Sequence, residues 1–135
     1  MAKIIRATKL TTLIKKLDKI FSQFVRQRDA SRNGIVRCCT CGQFMHWKKS
    51  HCGHFMSRGH QSTRYDEKNT AVQCPSCNSF DQGKQYEFAL YLDKRYGPGT
   101  ADKMLMKSKM LCKRDRYDLE CLIEDYKQKL KCLKS

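Results

Sequence analysis

The sequence predicts an α+β fold, mainly helical, in which a zinc-stapled central core is flanked by an N-terminal basic amphipathic helix and by C-terminal helices. Three observations predict it. Apolar residues recur at helical spacing over 9–29, two Cys-x-x-Cys pairs bracket the middle of the chain, and helical spacing returns after residue 85. One domain over 1–135 is expected, divided into the helix at 9–29, the stapled core at 34–85 and a helical part at 86–135.

The first helix places Leu10, Leu13, Ile14, Leu17, Ile20, Phe21, Phe24 and Val25 on one stripe, with Lys15, Lys16, Lys19, Gln23 and Arg26 on other faces. The stripe is explained by core packing, and the basic face adds phosphate contact by Lys15, Lys16, Lys19 and Arg26 to the expectations. Asn33-Gly34 is a turn signal that ends this helix. Ile35-Val36-Arg37 reads as a short extended lead into the first Cys pair. Short strands and loops are expected beyond it, around 46–55 and near 70–73. A helix over 85–96 stops at Gly97-Pro98-Gly99, and a shorter one over 100–110 takes Thr100 as its cap. The last helix starts near Asp115, with Asp118 three residues on as a rough capping box. Its apolar positions are Leu119, Leu122, Ile123, Tyr126, Leu130 and Leu133.

The chain of 135 residues carries 28 Lys and Arg against 13 Asp and Glu, a formal charge of +15. Such an excess favours a polyanionic partner, because binding releases its counterions. Nucleic acid comes first and an anionic membrane surface second. No stretch approaches the roughly 20 apolar residues of a membrane span, and the start, Met1-Ala2-Lys3-Ile4-Ile5-Arg6, lacks the apolar core of a secretory signal. Nine cysteines, an odd number, then read as thiols and metal-bound thiolates in a reducing cytoplasm.

Structural zinc takes four soft ligands at tetrahedral corners, and a Cys-x-x-Cys knuckle supplies two from one tight turn. Cys38 with Cys41 and Cys74 with Cys77 form two such knuckles. Cys39 and Cys52 compete for the assignment, and a redox role for Cys74-x-x-Cys77 lacks the surrounding strand–helix pattern. The 32 residues between Cys41 and Cys74 exceed the usual ribbon gap, so the staple encloses an insert. That insert carries His46, His51, His54, His60, Arg58, Arg64 and Asn69, and Asn78 follows the last Cys. A neutral imidazole can take a proton from water, a divalent ion can hold a phosphate, Arg58 can clamp phosphoryl oxygens, and an Asn can orient the His. Taken singly, each has a plainer reading: a surface His, a turn residue at Asn69, a helix cap at Asn78.

In order, these residues resemble the HNH (ββα-metal) endonucleases, in which a strand His, a loop Asn and a final His or Asn on a helix lie inside a zinc staple. More of the chain resembles the phage NinG/Rap recombination proteins. The likeness is carried by Phe24-Val25-Arg26-Gln27-Arg28-Asp29, Cys38-Cys39-Thr40-Cys41-Gly42, Cys52-Gly53-His54-Phe55-Met56-Ser57-Arg58-Gly59, Arg64-Tyr65-Asp66-Glu67-Lys68-Asn69 and Gln73-Cys74-Pro75-Ser76-Cys77-Asn78. It implies a metal-dependent DNA endonuclease of phage or prophage origin, acting on branched recombination intermediates such as Holliday junctions or displacement loops, alongside recombination proteins. His54 then matches the general base, Asn69 the orienting Asn, Asn78 the catalytic-ion contact, Arg58 a phosphate contact, and the four cysteines the structural Zn²⁺ ligands. Many HNH enzymes have an Asp before the catalytic His; here it is Gly53. The catalytic Mg²⁺ or Mn²⁺ must therefore use another partner, with His51, His60 and Asp81 the candidates, or water and substrate phosphate. Symmetric cutting of a four-way junction needs two sites, which predicts a homodimer; the 119–133 stripe either supplies that contact or packs on the chain's own core. The alternatives are a non-catalytic zinc-containing DNA-binding recombination or regulatory protein, and an RNA-binding or antitermination-type factor.

Overall fold

The computed structural model describes residues 9–134. The elements follow in the order α1 (Leu10–Arg28), β1 (Ile35–Arg37), β2 (Phe44–His46), β3 (His51–His54), α2 (Gln61–Arg64), β4 (Thr70–Gln73), α3 (Gln85–Tyr96), α4 (Thr100–Ser108) and α5 (Arg116–Lys134). Single 3₁₀ turns cover Trp47–Lys49 and Glu67–Asn69, and a π-helical turn covers Ser76–Phe80. The result is mainly helical, with two antiparallel strand pairs, β1–β2 and β3–β4.

The stripe on α1 buries Leu13, Leu17, Phe21, Phe24 and Val25. Its partner is α5, which buries Leu119, Ile123 and Tyr126 in the same cluster, joined by Tyr65. Phe21 meets Tyr65 and Tyr126 edge-on, with centroids 5.6 and 5.0 Å apart. Each such side chain taken from water contributes about 1.5–3 kcal/mol. Of the two uses expected of the 119–133 stripe, packing on the chain's own core is the one seen for Leu119, Ile123 and Tyr126, with Leu122 and Leu130 partly buried beside them and Leu133 exposed. The capping box holds in full, since Asp118 N–H donates to Asp115 Oδ1 at 2.8 Å and Asp115 N–H to Asp118 Oδ2 at 3.0 Å.

A second cluster joins Phe55 and Ala71 to Phe88 and Leu92 of α3 and to Ala101 and Met104 of α4. The β3–β4 hairpin thus lies between two cores, with Cys52 packed against the α1–α5 side and Ala71 in the α3–α4 side. Its register pairs His51 with Gln73, Cys52 with Val72, Gly53 with Ala71 and His54 with Thr70. Arg28, at the end of α1, donates to the carbonyls of Glu67 (3.2 Å) and Thr70 (2.7 Å) and so fixes the hairpin to the helix.

The short strands and loops expected around 46–55 are the end of β2, β3 and between them a turn over 47–49, in which Lys48 N–H donates to His46 Nδ1 and Ser50 Oγ to the Trp47 carbonyl. One local expectation needs correction. Thr100 does not cap α4; its hydroxyl donates back to Gly97, and the Ala101 N–H is received by Asp93 of α3 at 2.9 Å. Among the described residues no helix is long and apolar enough to cross a membrane.

Candidate functional site

The four thiols of Cys38, Cys41, Cys74 and Cys77 converge, with all sulfurs within 4.8 Å of one another. Cys41 Sγ and Cys74 Sγ are 3.7 Å apart. Tetrahedral zinc with bonds of about 2.3 Å sets its sulfurs about 3.8 Å apart, so the site fits the ion in both donor chemistry and size. Burial raises the Cys38 thiol, but the Thr40 hydroxyl and nearby backbone groups outweigh it and bring it down to about 6, whereas burial pushes Cys77 up to about 12. Cys39 points into the α3–α4 cluster and Cys52 against α1–α5, both with thiols held above their ordinary value by burial. Neither belongs to the sulfur cluster. The staple joins the β1–β2 turn to the end of β4, which sets the Ser76–Phe80 turn against β3.

A cleft of about 650 Å³ opens where α1, β3, the loop after β3 and the segment after the second knuckle meet. His54 lines it. Its Nε2 lies 3.0 Å from the Arg64 carbonyl. A carbonyl only accepts, so Nε2 carries the hydrogen and Nδ1 is the basic nitrogen of the neutral ring. Among the described residues Nδ1 has no hydrogen-bond partner, and it is not sealed off from solvent. Burial lowers the His54 pKa from its ordinary value, helped by the Arg58 charge and opposed by the Arg64 carbonyl and Asp18.

Arg64 is held in turn by Asp18 of α1, through Nε–H to Oδ1 at 3.0 Å and Nη2–H to Oδ2 at 2.5 Å. The Tyr65 hydroxyl donates to the same carboxylate at 2.9 Å, and the largely exposed Arg58 approaches it at 3.8 Å. On the other wall, Asn78 Nδ2 and His51 Nδ1 are 3.0 Å apart.

A family described as the bacteriophage lambda NinG protein matches residues 2–135. The chain belongs to the NinG family. It is 27% identical over 126 residues to the protein ninG of Salmonella phage P22, a stretch covering 90% of this chain and 57% of that relative. The chain thus spans little more than half the length of the curated relative it matches. No solved structure matches it.

In this NinG-family chain the cleft gathers His54, Arg58, Asn78 and Arg26 from the residues singled out in the sequence. Arg26 donates to the Ser22 carbonyl and hydroxyl and reaches the Trp47 carbonyl. Lys19 and Lys15 are exposed two and three turns back on its face of α1, while Lys16 projects about 80° aside. Asn69 is fully buried and does not line the cleft. It receives Met56 N–H at 2.8 Å and donates to the carbonyls of Met56 and Thr63. The Asn expected to orient the His by direct bonding therefore secures the loop after it, and the direct hold on His54 comes from Arg64. Of the three helpers suggested for an ion, His51 lines the cleft; His60 and Asp81 do not.

The residue the sequence reading missed is Gln73. It is fully buried, donates to Gly83 O at 2.9 Å and Thr40 Oγ1 at 3.2 Å, and leaves Oε1 without a partner. A Cβ on Gly53 would fall 2.1 Å from that oxygen. The Gly in mid-strand was the available signal, because such glycines mark close approach of a neighbour.

Proposed function

We propose that the cleft is the active site of a metal-dependent DNA endonuclease acting on branched recombination intermediates, a Holliday junction or displacement loop. The observation that carries this reading is the state of His54: Nε2 spent on a backbone carbonyl, Nδ1 free, and a lowered pKa, in a basic cleft. That is how a general base is kept neutral and aimed. His54 Nδ1 takes a proton from water, the water oxygen attacks phosphorus, and the bond to the 3′-oxygen breaks with its electron pair. That oxygen takes a proton from solvent, leaving a 5′-phosphate and a 3′-hydroxyl, and His54 returns its proton to solvent. Arg58, only partly engaged by Asp18, holds a phosphoryl oxygen. A Mg²⁺ or Mn²⁺ beside Asn78 and His51 would stabilise the leaving oxygen. The order β3, β4, then the Asn78 turn supports the HNH resemblance, and the NinG family supports a role in phage recombination.

One observation favours a second reading, a zinc-containing DNA-binding protein without catalysis. The Gln73 amide fills the place of a side chain at Gly53, so no carboxylate stands beside His54 on β3 where an Asp is usual, and the one carboxylate lining the cleft, Asp18, is engaged by Arg64, Tyr65 and Arg58. The test is cleavage of a labelled four-way junction beside linear duplex with Mg²⁺ or Mn²⁺. His54→Ala should keep zinc and DNA binding while cleavage falls about 10²–10⁴-fold. Tight binding with no cutting by the wild type in either ion would select the second reading.

A further inference from the structure

Between α4 and α5 the chain turns through an exposed tip that the cleft does not use. Met110 is 65% exposed, Leu111 102% and Met106 71%, with Leu105 and Tyr117 also exposed. Residues 103–116 hold Lys103, Lys107, Lys109, Lys113, Arg114 and Arg116 against the single acid Asp115. An apolar tip in a basic collar is a poor design for phosphate contact alone. It is also a poor self-contact, since two such collars repel.

The tip is mounted on the element that holds the site. Arg114 donates to the Gln61 carbonyl at 2.6 Å and lies 5.1 Å over the Tyr65 ring, and Ser62 Oγ donates to Lys107 O at 2.5 Å. Lys107 pairs with Asp66. These bonds fasten the segment to α2, whose Arg64 holds both His54 and Asp18. A strand end gripped by the tip would thus be held in a fixed relation to the cleft.

We infer that Met110 and Leu111 form an apolar wedge that enters DNA at an unstacked step, such as the point where a branch leaves a duplex, while Lys109 and Lys113 hold the flanking phosphates. Apolar wedges of this kind unstack a base step, and a branch point has already lost that stacking. The inference rests on DNA being the substrate and deepens that reading, since it supplies a reason for preferring branched over linear DNA.

The test uses the full chain and a forked duplex with 2-aminopurine beside the fork, with no divalent ion added, so that cleavage plays no part. Wild type should raise the 2-aminopurine fluorescence. Met110→Ser/Leu111→Ser, which alters only exposed side chains, should abolish that rise and weaken fork binding about tenfold, with linear duplex changed less than about twofold. Lys109→Gln/Lys113→Gln should weaken fork and duplex alike and flatten the salt dependence. The wedge is overturned if the Ser variant keeps the fluorescence rise and fork affinity, if it weakens both DNAs equally, or if wild type binds neither DNA. It is also overturned if wild type binds anionic phospholipid vesicles and the Ser variant does not, which would make the tip a lipid contact. Failure of the nuclease reading would appear separately, as absent cleavage with fork binding intact.

Discussion

Gly53 and Gln73 show how one missing Cβ shapes the site. The Gln73 amide is pinned by Gly83 and Thr40, so it cannot swing away from a side chain at 53 without giving up those bonds. Gly53→Ala should cost about 1–3 kcal/mol by overpacking. Gln73→Ala removes the obstacle, so the double variant should be more stable than the sum of the two single losses by about 1 kcal/mol or more in urea unfolding. Strict additivity would sink the steric account. His54 makes a prediction of opposite character, in pH. Its folded pKa lies below the unfolded value of about 6.5, so between the two the unfolded chain binds more protons. The resulting stability is fully present above about pH 6.5 and is lost as pH falls through that window. Urea midpoints measured at pH 5 and 7.5 should differ less in His54→Ala than in wild type, and an unchanged difference would mean that the ring does not titrate as its burial implies.

At the scale of elements, the sequence was legible wherever local chemistry decided the outcome. The α1 stripe, the stop at Gly97-Pro98-Gly99 and the 70–73 strand follow from spacing and turn residues, and the structure has them at Leu10–Arg28, Gln85–Tyr96 and Thr70–Gln73. The Asp115–Asp118 box is equally local, and Asp115→Ala should cost about 1 kcal/mol with unchanged helix packing, as judged by urea unfolding and circular dichroism. What was not legible depends on partners distant in sequence. Nothing around Thr100 announces that Asp93 will take the Ala101 N–H, and a backbone carbonyl such as that of Arg64 carries no residue-type signal for holding His54. Asp18 left a fainter trace, a lone acid among Lys15, Lys16 and Lys19. Because it receives Arg64 and Tyr65, Asp18→Asn should cost about 1–3 kcal/mol and loosen the carbonyl that steers His54. A fall in cleavage alongside unchanged zinc content would separate this steering from damage to the staple.

For the whole molecule the question is what the staple holds, given two cores that already pack without it. The α1–α5 cluster and the α3–α4 cluster share no cysteine ligand, whereas the β1–β2 turn and the Asn78 turn meet at the four sulfurs, helped only by the Gln73 amide between Thr40 and Gly83 and by the Cys39 N–H on Val72. Zinc binding should therefore stabilise one wall of the cleft rather than the fold at large. Cys41 is the exposed ligand, so Cys41→Ser removes a zinc bond with the least disturbance of packing. The expected outcome is loss of zinc, seen by elemental analysis, and loss of amide protection over residues 38–44 and 74–83. Protection in α1 and α5 should persist. Cleavage should fail with it, because His51 and Asn78 are no longer held side by side on that wall, while the basic face of α1 should still bind duplex DNA at low salt. Protection lost evenly along the chain would mean instead that the staple, and not the helical cores, holds the protein together.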